Sequence, residues 1–254
     1  MIRLINTISL AFVSIFASGI AYAGLPEATV AFKRIYQAPS AAQFEDTPFK
    51  GVFSVRTGGS SINLFDEPMT INGYGPNWEV RENLKSPEFR KLAPEETQAI
   101  WRLLRNNLKT DWMVLSPYSK GEQSTIVISA PNCPSCKVLE QDLKKYGQSL
   151  GANVHIVPML LGKGSDEFAN AILCSNNPNS LWAESWSMGG RYPSSNAECQ
   201  KSRWAELVAY HTFERKGTQI QVRTPTIIRN DGSLHYGWNS GSSLAEVKER
   251  LGLK

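Results

Sequence analysis

The sequence predicts an α+β protein in which a small N-terminal α/β module, a linking helix and a larger C-terminal domain follow one another. Three observations lead to this fold class. A short helical pattern and alternating runs of apolar and polar residues come first, a second helical stripe of apolar residues follows, and strand and helix patterns then alternate to the end. A C-x-x-C motif stands where the first of these later strand patterns gives way to a helix pattern.

The first 23 residues have the pattern of a secretory signal peptide. Arg3 supplies a positive charge, residues 8–20 are apolar and uncharged, and Ala21-Tyr22-Ala23 resembles a cleavage site. A transmembrane anchor is the alternative, but the apolar run is shorter than the ~20 residues that a membrane span requires. We therefore expect residues 1–23 to be a signal peptide and the mature protein to lie in the periplasm.

Charge and cysteine content narrow the function classes. The chain has 27 Lys and Arg residues against 23 Asp and Glu residues, a formal net charge of +4, and no cluster of basic residues. So mild a basic bias argues against nucleic acid as a partner. The four cysteines lie at positions 133, 136, 174 and 199. An even count in an exported chain suggests two disulfides, because the compartment is oxidising.

Residues 24–92 are predicted to form a dimerisation module. Apolar residues recur at spacings of three and four across residues 25–37, which indicates an amphipathic helix. Alternating runs at 52–56 and 61–65, separated by two glycines, predict a hairpin, and a third run lies at 69–72. A sheet this small has exposed edges, and such edges tend to be paired or covered. We therefore expect the module to join two copies of the chain in a homodimer.

Residues 93–121 are predicted to be a linking helix and a linker. Pro94 suits the first turn of a helix, and Glu95 and Glu96 suit its positive end. Apolar residues then form one stripe along the predicted helix: Ile100, Trp101, Leu104 and Leu108. A polar break at 116–121 follows, so we place the start of the C-terminal domain at residue 122.

The C-terminal domain, residues 122–254, is predicted to have a thioredoxin fold. Its pattern is strand 124–129, helix 134–149, strand 153–159, helical region 165–213, strand 226–229, a hairpin turn at 230–232 and a last helix at 243–251. The last helix begins with a capping-box pattern, Ser243-x-x-Glu246. Strands and helices that alternate, with an insertion between the second and third strands, describe this fold.

Cys133 and Cys136 are the predicted catalytic pair. The positive end of a helix macrodipole and the unpaired backbone N–H groups there favour thiolate over thiol, and the thiolate is the reactive form. Cys133, at the helix start, can face solvent and attack a disulfide. Cys136, one turn further in, is less exposed and can resolve the mixed disulfide.

Two other interpretations of this pair are a structural disulfide and a zinc site. A structural disulfide would close so small a loop that it would remove little entropy from the unfolded chain. A zinc site would need two further ligands, but Cys174 and Cys199 are far from any second C-x-x-C, and the three histidines, His155, His211 and His235, form no ligand pattern. We therefore predict redox chemistry by the cysteines themselves, without a metal or another cofactor.

Thr224 and Pro225 are predicted to face the substrate. Proline is disfavoured inside a strand because it has no backbone N–H to donate. Pro225 stands directly before the β-branched run 226–228, a position that a strand tolerates. A cis Thr224–Pro225 bond would turn the backbone at Thr224 towards the two cysteines. Most X–Pro bonds in folded proteins are trans, which favours an ordinary trans proline here. Only the presence of a C-x-x-C motif in the same chain reverses that preference.

These residues resemble the thioredoxin superfamily. The export signal, the small first module, the linking helix and the extra cysteines in the insertion are similar to the periplasmic DsbC/DsbG disulfide isomerases. The resemblance implies that Cys133 is the nucleophile, that Cys136 resolves, and that Thr224 and cis Pro225 form the substrate-facing loop. It also implies a homodimer with chaperone activity, misfolded exported proteins as substrates, and an inner-membrane thiol reductase of the DsbD kind as partner.

The resemblance further implies a structural disulfide between Cys174 and Cys199. A bridge of that sequence separation would stabilise the fold by roughly 3.5 kcal/mol in the chain-entropy model. The chain departs from the family between the catalytic cysteines, where a tyrosine commonly precedes the second cysteine and this sequence has Pro134-Ser135. The dipeptide helps to set the redox balance. The alternatives to an isomerase are therefore a net oxidase or reductase of the same fold, or a chaperone in which the C-x-x-C is incidental.

Overall fold

The computed structural model describes residues 24–35, 40–47, 51–56, 62–66, 72–74, 77–80, 90–91, 94–95, 98, 101–102, 105, 110–118, 120–202, 205, 208–209, 214–216, 219–221, 223–239 and 243–254. The predicted signal peptide lies outside the described residues. So do His211, residues 69–71 and most of the predicted linking helix.

The N-terminal unit consists of one helix and an antiparallel sheet. Helix α1 spans Leu25–Ile35, and the strands pair in sequence order: β1 Gln43–Asp46, β2 Val52–Arg56, β3 Ile62–Asp66, β4 Asn72–Tyr74, β5 Asn77–Val80 and β6 Arg90–Lys91. Phe32 of α1 packs on Phe65 of β3 with 4.8 Å between ring centroids. Ala28, Phe53 and Val55 complete this small core, which follows from the helical and alternating apolar patterns of the sequence.

The C-terminal unit is built on a five-stranded mixed sheet. Its strands are β7 Val114–Leu115, β8 Gln123–Ser129, β9 Ala152–Pro158, β12 Thr226–Ile228 and β13 Leu234–Tyr236, in the spatial order β13-β12-β8-β9-β7. Only β8 and β9 run parallel, because the chain crosses between them through a helix. Strand β8 is central, and its last five residues are buried, as expected for a β-branched run covered on both faces.

The described residues of this unit also include helices that connect its strands and end the chain. Helix α2, Pro134–Tyr146, makes the crossover from β8 to β9, and α5, Leu244–Leu251, closes the chain. The predicted capping box at Ser243 and Glu246 is present at the start of α5. Strand, helix, parallel strand, two antiparallel strands and a last helix make up the thioredoxin fold, so the fold class predicted from the sequence is confirmed.

The insertion lies between β9 and β12. It contains α3, Ser165–Leu173, α4, Pro178–Ser185, further helical positions at 200–202, 205 and 208–209, and a hairpin of β10, Glu214–Lys216, with β11, Gln219–Gln221. Residues 186–199 between the helices are neither helix nor strand. Aromatic side chains hold this segment together, with Trp182 and Trp186 packed edge to face at 5.2 Å.

The segment before residue 122 also contributes to the C-terminal core. Strand β7 pairs with β9, and the fully buried Trp101 belongs to the same apolar cluster as β8. The backbone around Gln98 and Arg102 lies against Gly232, where a Cβ atom would come within 1.9 Å of the Gln98 carbonyl oxygen. Only glycine, which has no Cβ atom, allows the two backbone segments to come this close. The domain limit at residue 122 stays a prediction.

Candidate dithiol site

The two cysteines lie where the central strand β8 ends and α2 begins. Cys133 is the N-cap residue with extended backbone angles, and its N–H donates to the Ala130 carbonyl at 3.1 Å. Pro134 takes the first helical position, where a missing N–H costs nothing because that group has no helical partner. Cys136 follows in the first turn. The free N–H groups of this turn therefore point towards the Cys133 sulfur.

Cys133 is less accessible than the sequence predicted. Its exposed fraction is 4%, whereas Cys136 is completely buried. Cys133 is more exposed than Cys136, as expected. The expectation that the Cys133 side chain faces solvent is wrong for the protein without a bound substrate. The reason is a contact with a distant segment, because the Thr224 carbonyl oxygen lies 3.3 Å from Cys133 Sγ. Both thiols are free, so the structure shows the reduced pair.

Hydrogen bonds hold the pKa of Cys133 low. The Cys136 side chain donates to Cys133 and is the main cause, while burial opposes the shift. Thr224 and the backbone N–H groups of Cys136 and Ser135 add to it, and Cys136 N lies 3.4 Å from the sulfur. Together they lower the pKa of Cys133 to about 5. At neutral pH this sulfur is therefore a thiolate, the nucleophilic form.

Cys136 shifts in the opposite direction. Burial raises the pKa of its thiol, and the hydrogen bond to Cys133 raises it further because that bond requires the proton. One cysteine is thus ready to attack, and the other keeps its proton until the first has reacted. This division of roles is what a nucleophile and a resolving thiol require.

Thr224 and Pro225 lie beside the thiolate, and their peptide bond is cis. The Pro225 carbonyl oxygen accepts a hydrogen bond from Gly237 N at 2.8 Å, and Thr226 begins β12 in register with Ile128 of β8. The Thr224 side chain also acts on the Cys133 sulfur, since it is one of the groups that lower the pKa of that thiol. The structure therefore brings Cys133, Cys136, Thr224 and Pro225 together.

Cys174 and Cys199 are separate from this group and are joined by a disulfide with an S–S distance of 2.13 Å. Cys174 follows α3, and Cys199 precedes the helical positions that begin at residue 200. The buried Ser202 hydroxyl lies 3.5 Å from Cys174 Sγ and accepts a hydrogen bond from Cys199 N. This bridge connects the two ends of the segment that contains α4.

Two carboxyl groups on α2 were not singled out by the sequence analysis. Glu140 lies one turn beyond Cys136 on α2, and burial raises the pKa of its carboxyl to about 7. The spacing of four residues was the available signal, because it puts both side chains on one helix face. Asp142, also on α2, accepts a buried hydrogen bond from Trp238 Nε1 at 2.7 Å. That contact spans 96 residues and has no local signal.

The described residues contain neither a cluster of metal ligands nor a helix that could span a membrane. In the part of the chain that the structure describes, no group of three or more His, Cys, Asp and Glu residues is arranged to hold a metal ion. Within the same residues, no helix has the length and apolar character needed to cross a membrane.

No protein-family model matches the chain, and no curated protein matches it. Solved structures do resemble it. A disulfide interchange protein from Neisseria gonorrhoeae is 20% identical with a TM-score of 0.43, over 57% of this chain and 99% of that one. A periplasmic thioredoxin-like protein from Salmonella enterica serovar Typhimurium is 19% identical with a TM-score of 0.35, over 56% and 91%. DsbG of Helicobacter pylori is 15% identical with a TM-score of 0.23, over 73% and 81%.

A disulfide interchange protein and a DsbG thus occur among the structural neighbours, as the sequence resemblance led us to expect. At this level of similarity the neighbours do not assign residue roles. The fold is assigned from the strand order and register of the chain itself.

Proposed function

We propose that the protein is an exported thiol–disulfide oxidoreductase that isomerises non-native disulfides in misfolded proteins. The observation that carries the proposal is the asymmetry of the dithiol, in which Cys133 has a low pKa and Cys136 a high one at the start of a single helix. Thr224 and Pro225 provide a backbone edge next to the sulfur where an extended substrate segment can lie.

The first step is attack by the Cys133 thiolate on one sulfur of a substrate disulfide. A bond forms between Cys133 Sγ and that sulfur, the substrate S–S bond breaks, and the second substrate sulfur leaves as a thiolate. Another substrate thiolate then attacks the substrate sulfur of the mixed disulfide. A new substrate disulfide forms and Cys133 leaves as a thiolate, so isomerisation transfers no net electrons.

Cys136 provides an escape from a mixed disulfide that does not rearrange. It gives up its proton and attacks Cys133 Sγ, which releases the substrate as a dithiol and leaves a Cys133–Cys136 disulfide. Two electrons have then passed to the substrate. A dithiol reductant must return them, and we propose an inner-membrane thiol reductase of the DsbD kind for that role.

Refolding of scrambled ribonuclease, in which the disulfides are mispaired, tests the proposal. The parent protein should restore ribonuclease activity, and Cys133→Ala should restore none above the uncatalysed rate. Cys136→Ala should still isomerise, but it should accumulate mixed disulfides because the escape route is absent. Equal recovery with Cys133→Ala and the parent would show that the assignment is wrong.

We also propose that the N-terminal unit, residues 24–92, joins two copies of the chain and contributes chaperone activity. Its antiparallel sheet is open, with β1 and β6 at its ends, and open edges favour pairing with a second chain. Sedimentation equilibrium should give twice the mass of the mature chain. A monomer at working concentration would contradict the dimer and leave the dithiol chemistry unaffected.

A net oxidase is the second candidate, and the low pKa of Cys133 favours it. Stabilising the thiolate stabilises the reduced pair, which makes the corresponding disulfide a stronger oxidant. Equilibration of the dithiol with glutathione buffers distinguishes the two functions. A potential of about −120 mV, the value of a strong oxidant, would favour the oxidase, whereas an isomerase needs a pair that a reductase keeps reduced.

A further inference from the structure

The loop that follows β9 is fastened to the residue directly before the nucleophile. Asn132 Nδ2 donates to the Leu161 carbonyl oxygen at 2.9 Å, and Leu161 N donates to Asn132 Oδ1 at 2.9 Å. One amide side chain thus satisfies both backbone groups of Leu161. A primary amide suits this position because it both donates and accepts, whereas a carboxylate only accepts.

Neighbouring contacts hold the rest of this loop. Met159 N donates to the Ser129 carbonyl at 2.9 Å, and Leu160 N donates to Ser165 Oγ at 3.2 Å. Gly162, with φ of 99°, then turns the chain towards α3 in a conformation that favours glycine. Leu161 therefore has a defined place beside the Asn132 side chain.

The Leu161 side chain points to solvent even though it is apolar. Its exposed fraction is 37%, and among the described residues the only other large hydrophobic side chain exposed to this degree is Val30, in α1. Scattered single apolar residues are normal on a surface, so exposure alone indicates nothing. What sets Leu161 apart is that two hydrogen bonds fix its backbone to Asn132, the residue directly before the nucleophile.

We infer that Leu161 is a specificity residue that contacts an apolar side chain flanking the substrate disulfide, and that Asn132 is the positioning residue that holds it there. The inference rests on the proposed function and names the class of disulfide that the site prefers. Apolar residues next to cysteines are buried in correctly folded proteins and exposed in misfolded ones. The contact therefore selects misfolded chains at the site of chemistry itself.

Two synthetic peptides test the inference. Each contains one cysteine in disulfide linkage to nitrothiobenzoate, flanked by leucines in one peptide and by serines in the other. Attack by Cys133 on the peptide sulfur forms the mixed disulfide and releases the coloured nitrothiobenzoate thiolate, which reports the second-order rate. The measured quantity is the leucine-to-serine rate ratio, which cancels any change in the reactivity of Cys133.

The parent protein should prefer the leucine peptide by about tenfold, the low end of what one apolar contact provides. Leu161→Ser should bring the ratio close to one, and Leu161→Met, which keeps an apolar side chain, should retain most of it. Asn132→Ala should lower the ratio as Leu161→Ser does. Thiolate absorbance should show the Cys133 pKa unchanged in Asn132→Ala, because Asn132 is not among the groups that lower it.

Val30→Ser is the matched control, because it removes an even more exposed apolar side chain from another part of the chain. It should leave both rates and their ratio at the parent values. A parent ratio near one, or a parent-like ratio in Leu161→Ser and Asn132→Ala, would overturn the inference while the proposed function stands. Failure of the parent to release nitrothiobenzoate from either peptide would instead contradict the proposed function.

Discussion

The chain contains two cysteine pairs that differ in almost every physical respect. Cys174 and Cys199 are 25 residues apart and form a disulfide within the insertion. Cys133 and Cys136 are both free and share the first turn of α2. The first pair closes a long loop, which stabilises the fold, and the second closes almost none. The second pair has instead the helix start and the hydrogen bonds that produce a thiolate. Position in the fold therefore decides whether a cysteine provides stability or reactivity.

The largest effect should come from removing the nucleophile. Cys133→Ala should slow nitrothiobenzoate release from a peptide disulfide by at least about a thousandfold, the scale on which loss of a catalytic nucleophile acts. The double variant Cys174→Ala, Cys199→Ala should retain the reactivity of Cys133, measured below its own unfolding temperature. Similar losses in both variants would remove the functional distinction between the two pairs.

The free energy of unfolding should depend more on the Cys174–Cys199 pair than on the Cys133–Cys136 pair, the reverse of their effects on reactivity. Loss of the Cys174–Cys199 bridge should lower the free energy of unfolding by about 3.5 kcal/mol in the chain-entropy model, as measured by urea unfolding. Cys133→Ala in the reduced protein should cost far less, because no covalent loop is lost. If the double variant unfolds at the same urea concentration as the parent, the bridge does not provide the stability assigned to it.

The region around the dithiol should also contain a group that destabilises the fold at high pH. Because burial raises the pKa of Glu140 to about 7, the folded protein binds its proton more tightly than the unfolded chain, in which the pKa is about 4.5. Its contribution to stability is therefore present below pH 4.5 and lost as the pH rises through 7. Glu140→Gln should raise the free energy of unfolding at pH 8 by about 3 kcal/mol relative to its effect at pH 4, because each pKa unit between the folded and unfolded values is worth about 1.4 kcal/mol.

Glu249→Gln is the control for Glu140→Gln, because Glu249 is an exposed carboxyl on α5. Its effect on unfolding should be the same at both pH values to within a few tenths of a kcal/mol. A pH-independent effect of Glu140→Gln would show that the carboxyl is not desolvated in the folded protein.

Much of the C-terminal fold was predictable because its elements have strong local patterns. Strand β8 is a β-branched run, α2 begins with proline and follows that run directly, and α5 has a capping box. The weaker strands were missed. Strand β10 is Glu-Arg-Lys and β11 is Gln-Ile-Gln, so their pairing is set by the partner strand rather than by intrinsic propensity.

The candidate site was predictable to the same extent. Cys133 and Cys136 belong to one motif, and Thr224 and Pro225 were singled out by a proline at the start of a strand. Asn132 and Leu161 had no such signal, because their hydrogen bonds join segments 29 residues apart. The near burial of Cys133 was also beyond sequence reasoning, because it results from the distant Thr224 carbonyl.

The pH dependence of alkylation in the reduced protein tests the central contrast most directly. Iodoacetamide reacts with thiolates, and mass spectrometry identifies which cysteine has been modified. We predict that Cys133 is alkylated with a midpoint near pH 5, in keeping with its lowered pKa, and that Cys136 stays unmodified at neutral pH. A midpoint near the ordinary thiol pKa of about 8.5, or equal modification of both cysteines, would contradict the account.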